Sequence, residues 1–402
     1  MTATRTTPPS WPGPVAIIAL AQLFGTSLWF SANGASDDLM RVWHLSASDI
    51  GWLTNAVQAG FIAGTLAIAL GGIADGFRAS RIFVVCALAG AVFNAAFAWF
   101  SQGLASAIVL RFLVGLSLAG IYPIGMKLIV SWAPLRTGQA LAQLAAMLTL
   151  GTALPHALRG VGSALPWQAV ILASSLLALA GAVLIHRLGD GPHLPSASSN
   201  HTTTRSATAV LAAFKIHRFR AAVSGYFGHM WELYAFWTLA PLLVARTGLA
   251  DSPAAVSGLA FAVIAMGALG CLAGGMLSRH IGSAKVALGA LATSLACAVL
   301  FALLWRSLPT AALLALVLLW GAAVVADSPQ FSALAALACP PALVGAALAI
   351  QNAIGFAITV VSISLTLALF EAIGVDAIWL LVPGPILGLL GFARAWRAGD
   401  RP

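Results

Sequence analysis

The stretch Tyr226-Phe227-Gly228-His229-Met230-Trp231-Glu232-Leu233-Tyr234-Ala235-Phe236-Trp237 sets an imidazole and a carboxylate three residues apart in an otherwise apolar run. Positions i and i+3 are neighbours on a helix, so His229 and Glu232 are expected side by side, with Tyr226, Leu233 and Trp237 on the adjoining face. A carboxylate beside an imidazole in a poorly hydrated place can exchange a proton with it. Read more plainly, the two form a neutral hydrogen-bonded contact that fixes helix packing. A second carboxylate lies in Asp327-Ser328-Pro329-Gln330-Phe331, where the proline removes one backbone hydrogen bond and frees a carbonyl. Trp320, Asp327 and Phe331 share a helical face, so with Gln330 this run offers a charge, an aromatic wall and broken backbone in one place. Asp327 reads equally well as a proton carrier or as the structural partner of Lys127 or Arg111. On one continuous helix those two cations would be 16 residues, or about 24 Å, apart and on different sides of the axis. They cannot clamp one anion together, and Lys127, on the side of Gly120 and Pro123, is the better cation for a cavity.

Two polar stripes extend the set. Gln22, Thr26, Trp29 and Asn33 recur at helical spacing near the start, and Asn352, Gly355, Thr359 and Ser362 do so near the end. Either stripe lines a cavity or serves as glue between packed helices.

What must hold these groups is set by composition. Of 402 residues, 60% are hydrophobic and only 8% charged, against about 25% charged in a soluble domain. Apolar runs of spanning length fall at 14–35, 50–70, 81–101, 105–131, 137–158, 166–187, 221–245, 253–276, 284–305, 310–335, 343–369 and 376–395. The expected fold is an all-α membrane protein of twelve transmembrane helices in two pseudo-symmetric six-helix bundles. An N-terminal tail covers 1–13, the first bundle 14–187, a polar linker 188–220, the second bundle 221–395 and a C-terminal tail 396–402. Sliding the chain on itself by 204 residues lays Gly71 on Gly275, Arg81 on Lys285 and Gly151 on Gly355, the trace of an internal repeat.

The net charge of +9 does not point to nucleic acid, because the twenty Lys and Arg sit in short loops between apolar runs. Fourteen lie on one side of the expected topology and four on the other, with Arg111 and Lys127 inside runs. Cytoplasmic loops retain positive charge, so both termini are expected in the cytoplasm and the protein in the inner membrane. The first run is too long for a signal peptide. The cysteines Cys86, Cys271, Cys297 and Cys339 show no metal-binding spacing and read as packing residues, and no metal or cofactor is implied. A membrane enzyme would need clustered carboxylates and a sizeable polar domain, which the sequence lacks.

The connection Gly71-Gly72-Ile73-Ala74-Asp75-Gly76-Phe77-Arg78-Ala79-Ser80-Arg81 resembles the loop signature of the major facilitator superfamily, in which Gly, three residues, Asp-Arg, any residue and Gly precede two or three basic residues. Gly71, Asp75 and Arg81 match; Gly76 replaces the Arg, and Arg78 stands at the second Gly. The resemblance implies a cytoplasmic latch in which Asp75, with Arg78 and Arg81 nearby, pairs across the two halves. Arg111 with Gly115 and Gly120 is similar to the family's pattern in the fourth helix, which implies a part in proton coupling. Gly151-Thr152-Ala153-Leu154-Pro155 resembles only loosely the antiporter pattern of the fifth helix, lacking its Gly-Pro pair.

In that family the first, fourth, seventh and tenth helices line a central cavity and every third helix faces lipid. An ionisable group in the hydrocarbon costs about 2.5–3.5 kcal/mol, and the third, sixth, ninth and twelfth runs carry theirs only at their ends. Cost and resemblance give the same partition. The expectation is a monomeric secondary carrier of a small solute, proton-coupled and working by alternating access, with an anionic metabolite as one solute class. Efflux of amphipathic compounds and a sensor derived from a transporter are the alternatives.

Overall fold

The structure, a computed structural model, describes residues 13–134, 137–194, 212–340 and 343–399. The expected tails and much of the linker fall on residues 1–12, 195–211 and 400–402, outside the described residues. In chain order the α-helices are α1 (Pro14–Thr26), α2 (Ser31–Gly34), α3 (Ser36–Trp43), α4 (Ala47–Leu70), α5 (Ile73–Gly76), α6 (Ala79–Phe100), α7 (Leu104–Leu118), α8 (Tyr122–Trp132), α9 (Thr137–Val161), α10 (Trp167–Leu188), α11 (His217–Arg246), α12 (Pro253–Ile281), α13 (Ser283–Leu304), α14 (Thr310–Ala326), α15 (Ser328–Ala338), α16 (Val344–Ile373) and α17 (Pro383–Gly399).

Without water to satisfy backbone groups, a chain crosses lipid as helix. Among the described residues nine helical stretches are long and apolar enough to do so, and the last, Val344–Arg397, contains two crossings, α16 and α17. The short α1 continued by α2, together with the 30-residue α11, brings the crossings to twelve. The third, sixth, ninth and twelfth crossings turn side chains such as Val92, Leu176, Leu303 and Leu387 outward.

Six crossings pack among themselves in each half: α4 on α7, α6 on α10 and α1 on α9 in the first, and α11 on α16 and α17, and α12 on α14, in the second. Two long seams join the halves, α9 against α12 and α4 against α16. The second is an antiparallel zipper. Ser48 N–H donates to Glu371 Oε1 (2.7 Å), Gly51 sits on Leu367, Asn55 Nδ2 donates to Ser364 Oγ (2.7 Å), and Phe61 meets Phe356 at 4.5 Å between ring centres.

The halves repeat one another in their tightest contacts. A Cβ on Gly115 would lie 2.0 Å from the Val57 carbonyl oxygen and one on Gly60 2.0 Å from that of Phe112, so α4 and α7 cross backbone on backbone. In the second half Gly270 faces the Ala322 carbonyl at 1.9 Å and Gly321 that of Val263 at 1.9 Å, making the same crossing between α12 and α14. The repeat pair Gly151 and Gly355 is also equivalent in space, since Gly151 seats α9 on Thr26 of α1 and Gly355 seats α16 on Tyr226 of α11.

Three expected crossings are broken rather than continuous. The first is interrupted at Ser27–Phe30, the fourth at Ala119–Ile121 and the tenth at Asp327. The stripe Gln22, Thr26, Trp29, Asn33 is therefore not one helical face, and the spacing of Arg111 from Lys127 is not that of an unbroken helix. Hydroxyl groups favour the first break by bonding back to carbonyls of the preceding turn: Thr26 Oγ1 to Gln22 (2.8 Å), Ser27 Oγ to Phe24 (2.7 Å) and Ser31 Oγ to Leu28 (3.1 Å).

The loop after α4 also departs from expectation. Arg78 Nε donates to Asp190 Oδ2 (3.1 Å) and Ser80 N–H to Asp190 Oδ1 (2.7 Å), so Arg78 is tied to the end of α10 in its own half, not across the halves. Asp190 follows the last turn of α10 with the reach to cap the first turn of α6, and this local solution outcompetes a distant partner. Gly71 closes α4, Arg81 is exposed, and the side chain of Asp75 lies outside the described residues. Burial acts to raise the Asp190 pKa, but the hydrogen bonds from Ser80 and Arg78 outweigh it and hold the carboxyl below its ordinary value.

Two outcomes are expected. Gly115→Leu should cost about 3 kcal/mol by overpacking, read as loss of the monodisperse peak in detergent, whereas Gly138→Ala, where an added Cβ meets nothing within 4 Å, should not. A depressed folded-state pKa stabilises above the unfolded value and the gain is lost as pH falls through the folded one. Asp190→Asn should therefore lower the melting temperature at neutral pH, the difference from the parent vanishing as pH drops below about 4.

Candidate functional site

Arg111 of α7 is fully buried and holds the first break open. Its Nη2 donates to the carbonyls of Leu28 (3.0 Å) and Trp29 (2.5 Å), and its Nη1 to Ser31 Oγ and Asn94 Oδ1 (both 2.9 Å). Phe97 lies under the guanidinium at 5.7 Å. Every one of these partners belongs to the first half, and the geometry gives Arg111 a positioning part: it presents Trp29 and Phe30 to the second half. Asn33, beyond the break, donates to Thr54 Oγ1 (2.9 Å). Lys127 Nζ donates to the Ala74 carbonyl in the connection after α4.

On α11 the two expected chemical groups part company. His229 Nδ1 stands 2.8 Å from Asp327 Oδ1, both side chains wholly buried. Glu232 turns the other way: its Oε1 accepts from Ser294 Oγ of α13 (2.8 Å) and Trp320 Nε1 of α14 (2.7 Å), while Oε2 has no partner among the described residues. The expected His229–Glu232 contact is thus replaced by two separate sites, because positions three apart on α11 meet different neighbours. Trp320 packs on Phe236 (4.3 Å, 30°) inside the second half and so supports Glu232 rather than lining a cavity between halves.

The His229–Asp327 pair is seated at the break between α14 and α15. Gly267 of α12 packs against Val325, two residues before Asp327, and against Thr149 of α9, which places the pair behind the seam between halves. Of the three tyrosines of the chain, Tyr122, Tyr226 and Tyr234, the last two are buried. Tyr226 donates to Asn352 Oδ1 (3.0 Å). Gln330 is buried, and Thr359 bonds back to Phe356 of its own helix (2.7 Å). Gln22 packs against Gly125 of α8, with neither end of its amide partnered among the described residues.

At the meeting of the halves Trp29 lies against Tyr234 (5.8 Å, 28°) and Phe356 (5.6 Å, 25°), with Phe61 beside both Trp29 (4.9 Å) and Phe356 and with Trp237 edge-on to Phe30 (6.2 Å, 87°). Sequence reasoning placed Trp29 and Trp237 here but missed Phe61, Tyr234 and Phe356, because an aromatic ring in an apolar run carries no periodic signal. Asn94 and Ser294 were missed, although Asn94 is a lone hydrogen-bonding group inside an apolar run, which is a readable mark.

A family model described as Major Facilitator Superfamily matches residues 16–364. The niacin transporter NiaP of Acinetobacter baylyi (strain ATCC 33305 / BD413 / ADP1) is 34% identical over 97 residues, 24% of this chain and 21% of that protein. The putative niacin/nicotinamide transporter NiaP of Bacillus subtilis (strain 168) is 28% identical over 160 residues, 39% of each. The matched stretches thus span about a fifth and two fifths of these curated relatives. Among solved structures, the fold is similar to the human organic anion transporter MFSD10 (TETRAN), with 16% identity, TM-score 0.69 and coverage of 95% of this chain and 98% of that one. It is also similar to the proton:xylose symporter XylE bound to 6-bromo-6-deoxy-D-glucose, with 15% identity, TM-score 0.70 and coverage of 96% and 95%. With twelve crossings, paired halves and a family match over most of its length, the chain belongs to the major facilitator superfamily of transporters.

Proposed function

We propose that this chain is a proton-coupled carrier of a small organic anion, oriented with both termini in the cytoplasm and working in the inner membrane. The names of the two curated relatives support the solute class, since niacin is a small organic acid. The observation that carries proton coupling is the wholly buried His229–Asp327 pair (2.8 Å) behind the seam of α9 and α12. A carrier exchanges access by parting its halves along such seams. Taking up or losing a proton at this pair changes the charge that the seam must bury, and burial of uncompensated charge is costly. Each protonation state therefore favours a different closure of the seam, which is what links proton movement to solute movement.

Glu232 is the second protonatable group. Its Oε1 is occupied by two donors, which leaves Oε2 as the position for a proton. Its contacts with Ser294 and Trp320 stay within one half, so its proton is less directly coupled to the seam.

In vesicles loaded for uptake of labelled niacin, Asp327→Asn should lower pH-gradient-driven uptake by more than about tenfold while leaving solute exchange without a gradient intact. Gradient-driven uptake at the parent rate in a folded Asp327→Asn protein would sink the coupling role. Glu232→Gln keeps an acceptor for Ser294 and Trp320. It should retain the parent melting temperature and lose less driven uptake than Asp327→Asn; the reverse order would make Glu232 the coupling group.

A further inference from the structure

One part of the contact between the two halves is made of stacked rings. Trp29 and Phe61 of the first half face Tyr234 and Phe356 of the second, and all four are at most 4% exposed. The planes of Trp29 and its two opposite neighbours are within 28° of parallel, at centroid separations of 5.6 and 5.8 Å. A flat ring placed between two others needs about 7 Å between them, twice the optimal carbon–carbon separation of roughly 3.5 Å. Parting the halves by about one ring thickness, roughly 3.5 Å, would therefore open a slot for one flat ring. A saturated ring, with hydrogens projecting from both faces, is thicker and offers no π face.

A second observation is independent of the rings. Gln58, wholly buried, accepts from Trp29 Nε1 through its Oε1 (3.2 Å), which fixes the amide so that Nε2 is turned away from that bond. Gln58 Nε2 and Trp237 Nε1 are both buried and have no partner among the described residues. Trp237 lies edge-on to Tyr234 (5.2 Å, 70°) and to Phe30, so its N–H belongs to the same cluster. Leaving two donors unpaired in a dry interior is costly, and an acceptor brought by a ligand would remove that cost.

We infer that the transported solute carries a flat aromatic or heteroaromatic ring with a hydrogen-bond acceptor at its edge, stacked between Trp29 of one half and Tyr234 and Phe356 of the other, with Gln58 Nε2 and Trp237 Nε1 donating to that acceptor. This rests on the carrier reading and defines the solute class for it. Arg111 acts here only through the backbone it holds, as the positioning residue for Trp29.

The test is equilibrium binding to the purified full-length protein in detergent, with matched pairs of probes: pyridine-3-carboxylate against piperidine-3-carboxylate, and benzoate against cyclohexanecarboxylate. At least one aromatic member should bind about tenfold or more tightly than its saturated counterpart and raise the melting temperature by mass action. Trp29→Leu and Phe356→Leu, each checked for a monodisperse peak, should erase that preference, and Trp29→Phe should restore most of it. Should Trp29→Leu fail to fold, Phe356→Leu and Trp29→Phe carry the comparison. Equal affinity within both pairs, no binding by either aromatic probe at millimolar concentration, or an intact preference in the folded Leu variants overturns the inference. Ring-selective binding without proton-driven uptake would keep the stack and remove the carrier reading. Proton-driven uptake confined to saturated solutes would keep the carrier and remove the stack.

Discussion

A guanidinium at the centre of a membrane protein can be held only by oxygen atoms that the protein itself supplies, and Arg111 finds four of them, on Leu28, Trp29, Ser31 and Asn94. Two are main-chain carbonyls that a continuous first helix would have kept for itself. The break in the first crossing and the buried cation therefore require one another: neither is tolerable in lipid without the other. From that exchange follows the placement of Trp29 and Phe30, and from their placement the aromatic contact between the halves. The centre of the molecule thus depends on an electrostatic arrangement made wholly within one half.

Much of the architecture was legible in the chain because lipid imposes simple rules. Spanning length, the polar interval near residue 190 and the family resemblance were enough for twelve crossings in two halves. The chemical groups were legible as types and depths but not as partners. His229 and Glu232 are neighbours on α11, yet the side chains they meet come from α13, α14 and the break at Asp327, some 60 to 100 residues away. Periodicity reports which face a residue occupies and not what faces it. The broken crossings were partly readable, since Thr26, Ser27 and Ser31 crowd three hydroxyls into six residues, whereas the break at Ala119–Ile121 has no such mark. Arg78 was misjudged because the resemblance directs attention across the halves while Asp190 competes locally.

The seams carry the repeat into function. α4 and α12 occupy equivalent places in the two halves, as do α9 and α16, and each seam joins one member of each set. The α4–α16 seam zips from Ser48 and Glu371 toward the aromatic contact, while the protonatable pair lies behind the α9–α12 seam. The aromatic contact and the buried pair are thereby set on opposite sides of the same interface.

The reciprocal glycine crossings have a mechanical meaning. Where α4 meets α7, and α12 meets α14, carbonyl oxygen lies within about 2 Å of the place a Cβ would take, so no side chain cushions the contact and little sliding is possible. Each such couple acts as a stiff beam. Any bending then falls at Ser27–Phe30, Ala119–Ile121 and Asp327, the points where the helical ladder is already interrupted, and a joint partway along a crossing displaces the helix end more than the joint itself.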